Sequence, residues 1–144
     1  MSDCVQTKDV IDWMERFAAF VWARDIESAR ALFRAEVRSF GTRTPEALGL
    51  DELIAQQWRL TWMRTRDFRW LPGSMQLQMS RDAGTAIVHA RWDSWGVDSD
   101  EAWGEQTPYH RQGRCTFALE REPGGQWQCL HSHFSMDPDP RKPA

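Results

Sequence analysis

The sequence predicts an α+β fold in which three N-terminal helices pack on the concave face of a strongly curved antiparallel sheet. Apolar residues recur at helical spacing through the first 65 residues, with one break near Val37. Beyond Pro72-Gly73 the period changes from about 3.6 to about 2. The later segments are separated by hairpin turns, so strands follow helices and do not alternate with them.

In the first helix, Val5–Arg24, the residues Val10, Met14, Phe17 and Val21 form the apolar stripe, widened by Ile11, Trp13, Ala18 and Phe20. Asp9, Asp12 and Glu15 lie early, where the helix dipole favours acids. Asp25 can cap a second, short helix, Ile26–Arg34, packing through Ile26, Ala29, Leu32 and Phe33. Val37–Gly41 reads as a strand and Thr42–Leu48 as a loop. A third helix, Asp51–Thr65, has Leu53, Ile54, Gln57, Trp58, Leu60, Thr61 and Trp62 around its apolar side. Met75, Leu77 and Met79 then alternate with polar residues, and Asp82-Ala83-Gly84 turns the chain into the strand Thr85–Trp95. Gly96–Gln106 is an acidic loop containing Trp103. Tyr109–Glu122 and Gln126–Met136 are strands joined by Pro123-Gly124-Gly125. Residues 1–137 make one domain, and the proline-containing stretch 138–144 reads as a flexible tail.

Composition narrows the function classes. The 144 residues carry a net charge of −3, and no Lys/Arg stripe exists to neutralise phosphates, which argues against a nucleic-acid partner. No apolar run approaches the length of a membrane helix, and the first residues have no secretory pattern. Three cysteines without metal-ligand spacing read as reduced thiols of a cytoplasmic protein. The outlying count is nine tryptophans beside seven phenylalanines and a single tyrosine. So many flat side chains suit a dense core or the lining of a cavity.

The run Trp127-Gln128-Cys129-Leu130-His131-Ser132-His133-Phe134-Ser135, preceded by Thr116-Phe117-Ala118-Leu119-Glu120-Arg121, resembles the closing hairpin of SnoaL-like proteins, members of the nuclear transport factor 2 and ketosteroid isomerase superfamily. The same run is similar to the end of the calmodulin-dependent kinase association domain. Ala86-Ile87-Val88-His89-Ala90-Arg91 looks like an upstream strand of that domain, and Phe17–Phe40 resembles the family's opening helices and first strand. The resemblance implies a cone-shaped fold and a homodimer formed through the outer sheet face. It also implies a pocket served by Gln128, Leu130, Ser132 and Phe134 of the last strand, with His131 and His133 turned away. Functions in the superfamily range from isomerases, dehydratases, cyclases and an epoxide hydrolase to binding and oligomerisation modules.

Candidate chemistry falls on the strand Thr85–Trp95. Alternation places Ile87, His89, Arg91, Asp93 and Trp95 on one face. A buried Arg91 holding Asp93 beside the His89 imidazole would bind an anion or polarise a leaving oxygen, while a solvent-exposed pair would do neither. Arg91 matches a pocket arginine of the association domain, and Arg91-Trp92-Asp93 resembles the Arg-x-Asp pair of limonene epoxide hydrolases, whose tyrosine and asparagine have no counterpart on Val37–Gly41. The ketosteroid isomerase pattern lacks its tyrosine and its carboxylate base here, and the scytalone dehydratase pattern lacks its tyrosines, Tyr109 being the only one. No metal or cofactor is expected. Trp13, Phe17, Trp58 and Trp62 from helices, with Phe40, Trp95, Tyr109, Phe117, Ser132 and Phe134 from strands, would line a ligand cage or else fill the cone. The expected function is binding of a small, partly apolar molecule. It could extend to a cofactor-independent lyase, isomerase or hydrolase, with His89 or Asp93 moving protons and Arg91 holding a developing anion. The alternative is a non-catalytic ligand-binding or oligomerisation module.

Overall fold

The computed structural model describes residues 2–97 and 108–142, with side chains of the first helix from residue 7 onward. α1 (Ser2–Ala23) leads into α2 (Ile26–Ala29) and a 3-10 turn, Arg30–Leu32. Asp25 caps α2 as expected, accepting from the Ser28 backbone N–H at 3.1 Å. β1 (Phe33–Phe40) and the two-residue β2 (Ala47–Leu48) follow. The next helix covers residues 50–62 and is made of α3 (Leu50–Leu53), a π-helical turn (Ile54–Trp58) and α4 (Arg59–Trp62). β3 (Thr65–Trp70), β4 (Gln76–Met79), β5 (Thr85–Gly96), β6 (Tyr109–Glu120) and β7 (Gln128–Met136) complete the chain.

The seven strands form one curved sheet in the order β2-β1-β7-β6-β5-β3, with β4 also paired to β5. The α+β class and the helices against the sheet agree with expectation. One pairing departs from an all-antiparallel sheet: β1 runs parallel to β7, with Ser39 opposite Ser132 and their hydroxyls 2.7 Å apart. The chain reaches that pairing by folding its whole length between β1 and β7, a connection that local sequence does not announce. β3 was not expected either. Its alternation is broken by Asp67 at φ 57° and by a register shift between Arg66 and Arg69. β2 occupies part of the stretch expected to be loop. The expected acidic loop with Trp103 lies, beyond Val97, outside the described residues. No helix among them is long and apolar enough to cross a membrane.

The core is aromatic. Phe17 on α1 stacks on Trp13 at 5.8 Å and meets Phe117 of β6 edge-on at 5.1 Å. Trp62 and Phe68 also meet that ring edge-on, at 5.8 and 6.4 Å. Burying each of these rings contributes roughly 1.5–3 kcal/mol. Indole N–H groups are satisfied by backbone where the packing allows it: Trp13 donates to Leu32 O at 3.2 Å and Trp70 to Met14 O at 2.9 Å. Two buried indoles, Trp92 and Trp127, have no acceptor.

Candidate functional site

The wide end of the cone is not filled. A cavity of about 50 Å³ remains between helix 50–62, α1 and the inner sheet face. Its apolar wall is Phe17, Trp58, Trp62, Phe68, Trp92 and Phe134, and its polar wall is Thr42, Gln57, Thr61, Ser94, Arg111 and Ser132. The π turn sets Trp58 and Trp62 parallel, 4.6 Å apart, on the cavity side of the helix. Such turns are frequent where a helix serves a site. Gly41, at the end of β1, lets the Gln57 amide lie directly on its backbone: a Cβ there would sit 2.3 Å from Gln57 Cδ.

Arg111 dominates the electrostatics. It lies on β6 opposite Ser94 and is 8% exposed. One guanidinium nitrogen, Nη2, donates to Thr42 Oγ1 at 3.2 Å and contacts Met136 Sδ at 3.5 Å, and the group lies over the Trp92 ring at 5.6 Å. No carboxylate of the described residues pairs with it. Burial pushes its pKa below the ordinary arginine value; Tyr109 opposes that shift and Arg43 adds to it. Around it, Gln57 Oε1, Thr61 Oγ1, Ser94 Oγ and Trp92 Nε1 are buried without any hydrogen-bond partner. A native fold leaves few such groups, and they converge here on one space.

The expected site residues divide. Phe17, Trp58, Trp62, Ser132 and Phe134 border the cavity; Phe40 touches its rim, but its ring turns to His131 and His133 on the outer face. Trp13 and Phe117 are packed into the core beneath it, fully in contact with other rings. Trp95 and Tyr109 lie elsewhere: Trp95 is exposed against His110, and Tyr109 covers Gly96 with its hydroxyl near Arg43. The parity expected for β5 is reversed. Ala86, Val88, Ala90, Trp92 and Ser94 face inward, and His89, Arg91 and Asp93 lie on the convex face. The inward row holds the side chains that carry no charge, because helices cover that side and an ion there would be desolvated. Arg91 pairs with Asp137 at 2.6 Å beside an open groove shared with His89, Arg114 and His133. Gln128 and Leu130 do not line the cavity. A register shift in β7 lets Cys129 turn inward and Gln128 reach Ala31 O.

Asp93 is nevertheless buried. It accepts from His110 Nε2 and, at 3.0 Å, from Gln112 Nε2, with Arg69 at 3.5 Å. Burial raises its pKa, but these hydrogen bonds and charges outweigh that and hold it below the ordinary carboxylate value. All four histidines of the chain, His89, His110, His131 and His133, lie on this outer face. The rings of His131 and His133 are 5.4 and 5.3 Å from that of Phe40. No three His, Cys, Asp or Glu side chains among the described residues come together to hold a metal ion.

Sequence reasoning missed Arg111. The signal was present, because counting back by twos from the inward Phe117 through Cys115 and Gly113 ends on it.

A profile of the SnoaL-like domain matches residues 10–138. No curated protein matches at a significant level. Among solved structures the chain is similar to a nuclear transport factor 2 (NTF2-like) superfamily protein from Salmonella enterica serovar Typhimurium, with TM-score 0.77, 14% identity, and 97% of this chain and 96% of that one covered. It is also similar to an NTF2-like protein of unknown function from Pseudomonas putida, with TM-score 0.73, 22% identity, and 97% and 92% covered. A third similar structure is the association domain of C. elegans CaMKII, with TM-score 0.69, 14% identity, and 93% and 98% covered. At these identities the likeness is one of fold.

Proposed function

This chain belongs to the SnoaL-like domain family, and from that premise we propose that it binds a small anionic molecule inside the cone, anchored by Arg111. The observation that carries this reading is a guanidinium 8% exposed, facing a cavity, with no carboxylate partner among the described residues. A buried cation without a counter-ion is costly, and a bound carboxylate on its free N–H groups would supply that counter-ion. The unpartnered Gln57, Thr61, Ser94 and Trp92 atoms support the same reading. Arg111 is also the only ionisable side chain among the described lining residues. It can hold a substrate anion for a lyase, isomerase or hydrolase but offers no base, so binding is the reading the cavity supports best. A thermal-shift titration with formate, acetate and propionate tests it. The native protein is expected to gain stability with each acid that fits, and Arg111→Met to gain none. Equal shifts in both proteins would sink the proposal.

We infer as well that the convex sheet face takes a second copy of the chain. Phe40, Ile87 and Trp95 are exposed large apolar side chains on that face. The resemblance to an association domain points the same way. Sedimentation velocity decides it, since a monomer at micromolar concentration would refute it.

A further inference from the structure

We propose that the ligand of this cavity is a small 2-hydroxycarboxylate of about two or three carbons, with its carboxylate on Arg111 and its hydroxyl on the Gln57 amide. The inference rests on the anion-binding reading and goes further by naming the second polar group and the size.

Size comes first. A space of about 50 Å³ holds a few water molecules, and therefore a ligand of roughly five or six non-hydrogen atoms. Steroids and aromatic polyketides do not fit while Trp58, Trp62 and Phe134 hold their places. Charge comes second. Arg111 offers a planar fork matched to a carboxylate, and no second cation lines the cavity to balance a phosphate dianion.

The hydroxyl follows from Gln57. Its side chain is buried, and Oε1 has no donor. A bare carboxylate accepts hydrogen bonds and has none to give, so acetate would leave that oxygen unpaired, at a cost of about 1–3 kcal/mol. A hydroxyl next to the carboxylate supplies the missing hydrogen. The two anchors are neighbours on the cavity wall: Arg111 Nη2 bonds Thr42, and the Gln57 amide lies on the adjoining Gly41. Ser94 Oγ and Trp92 Nε1 remain to complete the carboxylate's shell, and Phe134 and Trp62 give a methyl group an apolar wall.

The experiment is calorimetric titration of glycolate and lactate against acetate and propionate at constant ionic strength, on the native protein, Gln57→Leu and Arg111→Met. The hydroxy acids are expected to bind about 10-fold or more tightly than their parent acids, as follows when a buried polar group is otherwise left unpaired. Gln57→Leu should erase that preference while propionate affinity changes by no more than about threefold. Arg111→Met should lose all four. Should Gln57→Leu fail to fold, Gln57→Met, close to isosteric, replaces it. Equal affinity for hydroxy and parent acids would overturn the hydroxyl assignment and leave the anion reading standing. A preference that survives Gln57→Leu would overturn the role of Gln57. Absence of binding by every acid to the native protein would defeat both readings.

Discussion

Arg111 carries its charge at a position only 8% exposed, and the described protein gives it one hydroxyl, one sulfur and the face of the Trp92 ring in return. Even a buried ion pair can often be replaced by apolar side chains of similar volume at no cost or with a gain of about 1–4 kcal/mol, and Arg111 has no carboxylate partner among the described residues to lose. Arg111→Met is therefore expected to melt at the same temperature as the ligand-free native protein or several degrees higher, measured by differential scanning calorimetry. A marked fall would mean that Arg111 holds the fold together. Asp93 is the opposite case, a buried carboxylate with three partners. Because its folded pKa lies below the ordinary value, the stability it contributes is present above about pH 4 and is lost as pH falls through the folded value. Asp93→Asn should thus be less stable than native at pH 7, with the gap closing in acid; a gap that persists at pH 3 would contradict this. Asp93 was visible in the sequence as a candidate, but its role was not. Its partners His110 and Gln112 come from a different strand, and only register brings them to it.

Elements position these residues through close approaches that glycine permits. On β6, Gly113 lies under the Trp92 ring: an added Cβ would be 2.4 Å from Trp92 Cζ2 and 2.1 Å from Ser135 O. The second contact is backbone and cannot swing aside, so β6 and β7 would have to part. Gly113→Ala is expected to destabilise by about 3 kcal/mol or more, at or beyond the upper end of overpacking costs, and to tilt Trp92 into the cavity. Urea unfolding together with tryptophan fluorescence would check both. An unchanged midpoint would show that the sheet yields more easily than its geometry implies. The long periodic elements were legible: α1, β5, β6 and β7 lie close to where periodicity placed them. β3 and the π turn were not. β3 is short, bulged and polar, and it is a strand because β5 offers it an edge. The π turn has no local signature, and it exists where the helix must present Gln57, Trp58 and Thr61 to one space.

At the scale of the molecule, the sheet has two faces with different tasks. The concave face is closed by helices and aromatic rings around the small cavity. The convex face keeps Phe40, Ile87 and Trp95 in water beside four histidines. If a second copy covers that face, Phe40→Asp places a charge in the contact and should shift the sedimenting species to monomer, weakening association by at least about 10-fold. An unchanged dimer would move the interface elsewhere. From the sequence alone came the fold class, the family, the helix faces and the aromatic character of the interior, because these follow from local periodicity and composition. Tertiary structure alone decided which face of β5 looks inward, that Arg111 and not Arg91 enters the cavity, and how little space remains there. Alternation divides a strand into two faces without saying which one the helices cover, and cavity volume depends on how rings from six different elements interlock.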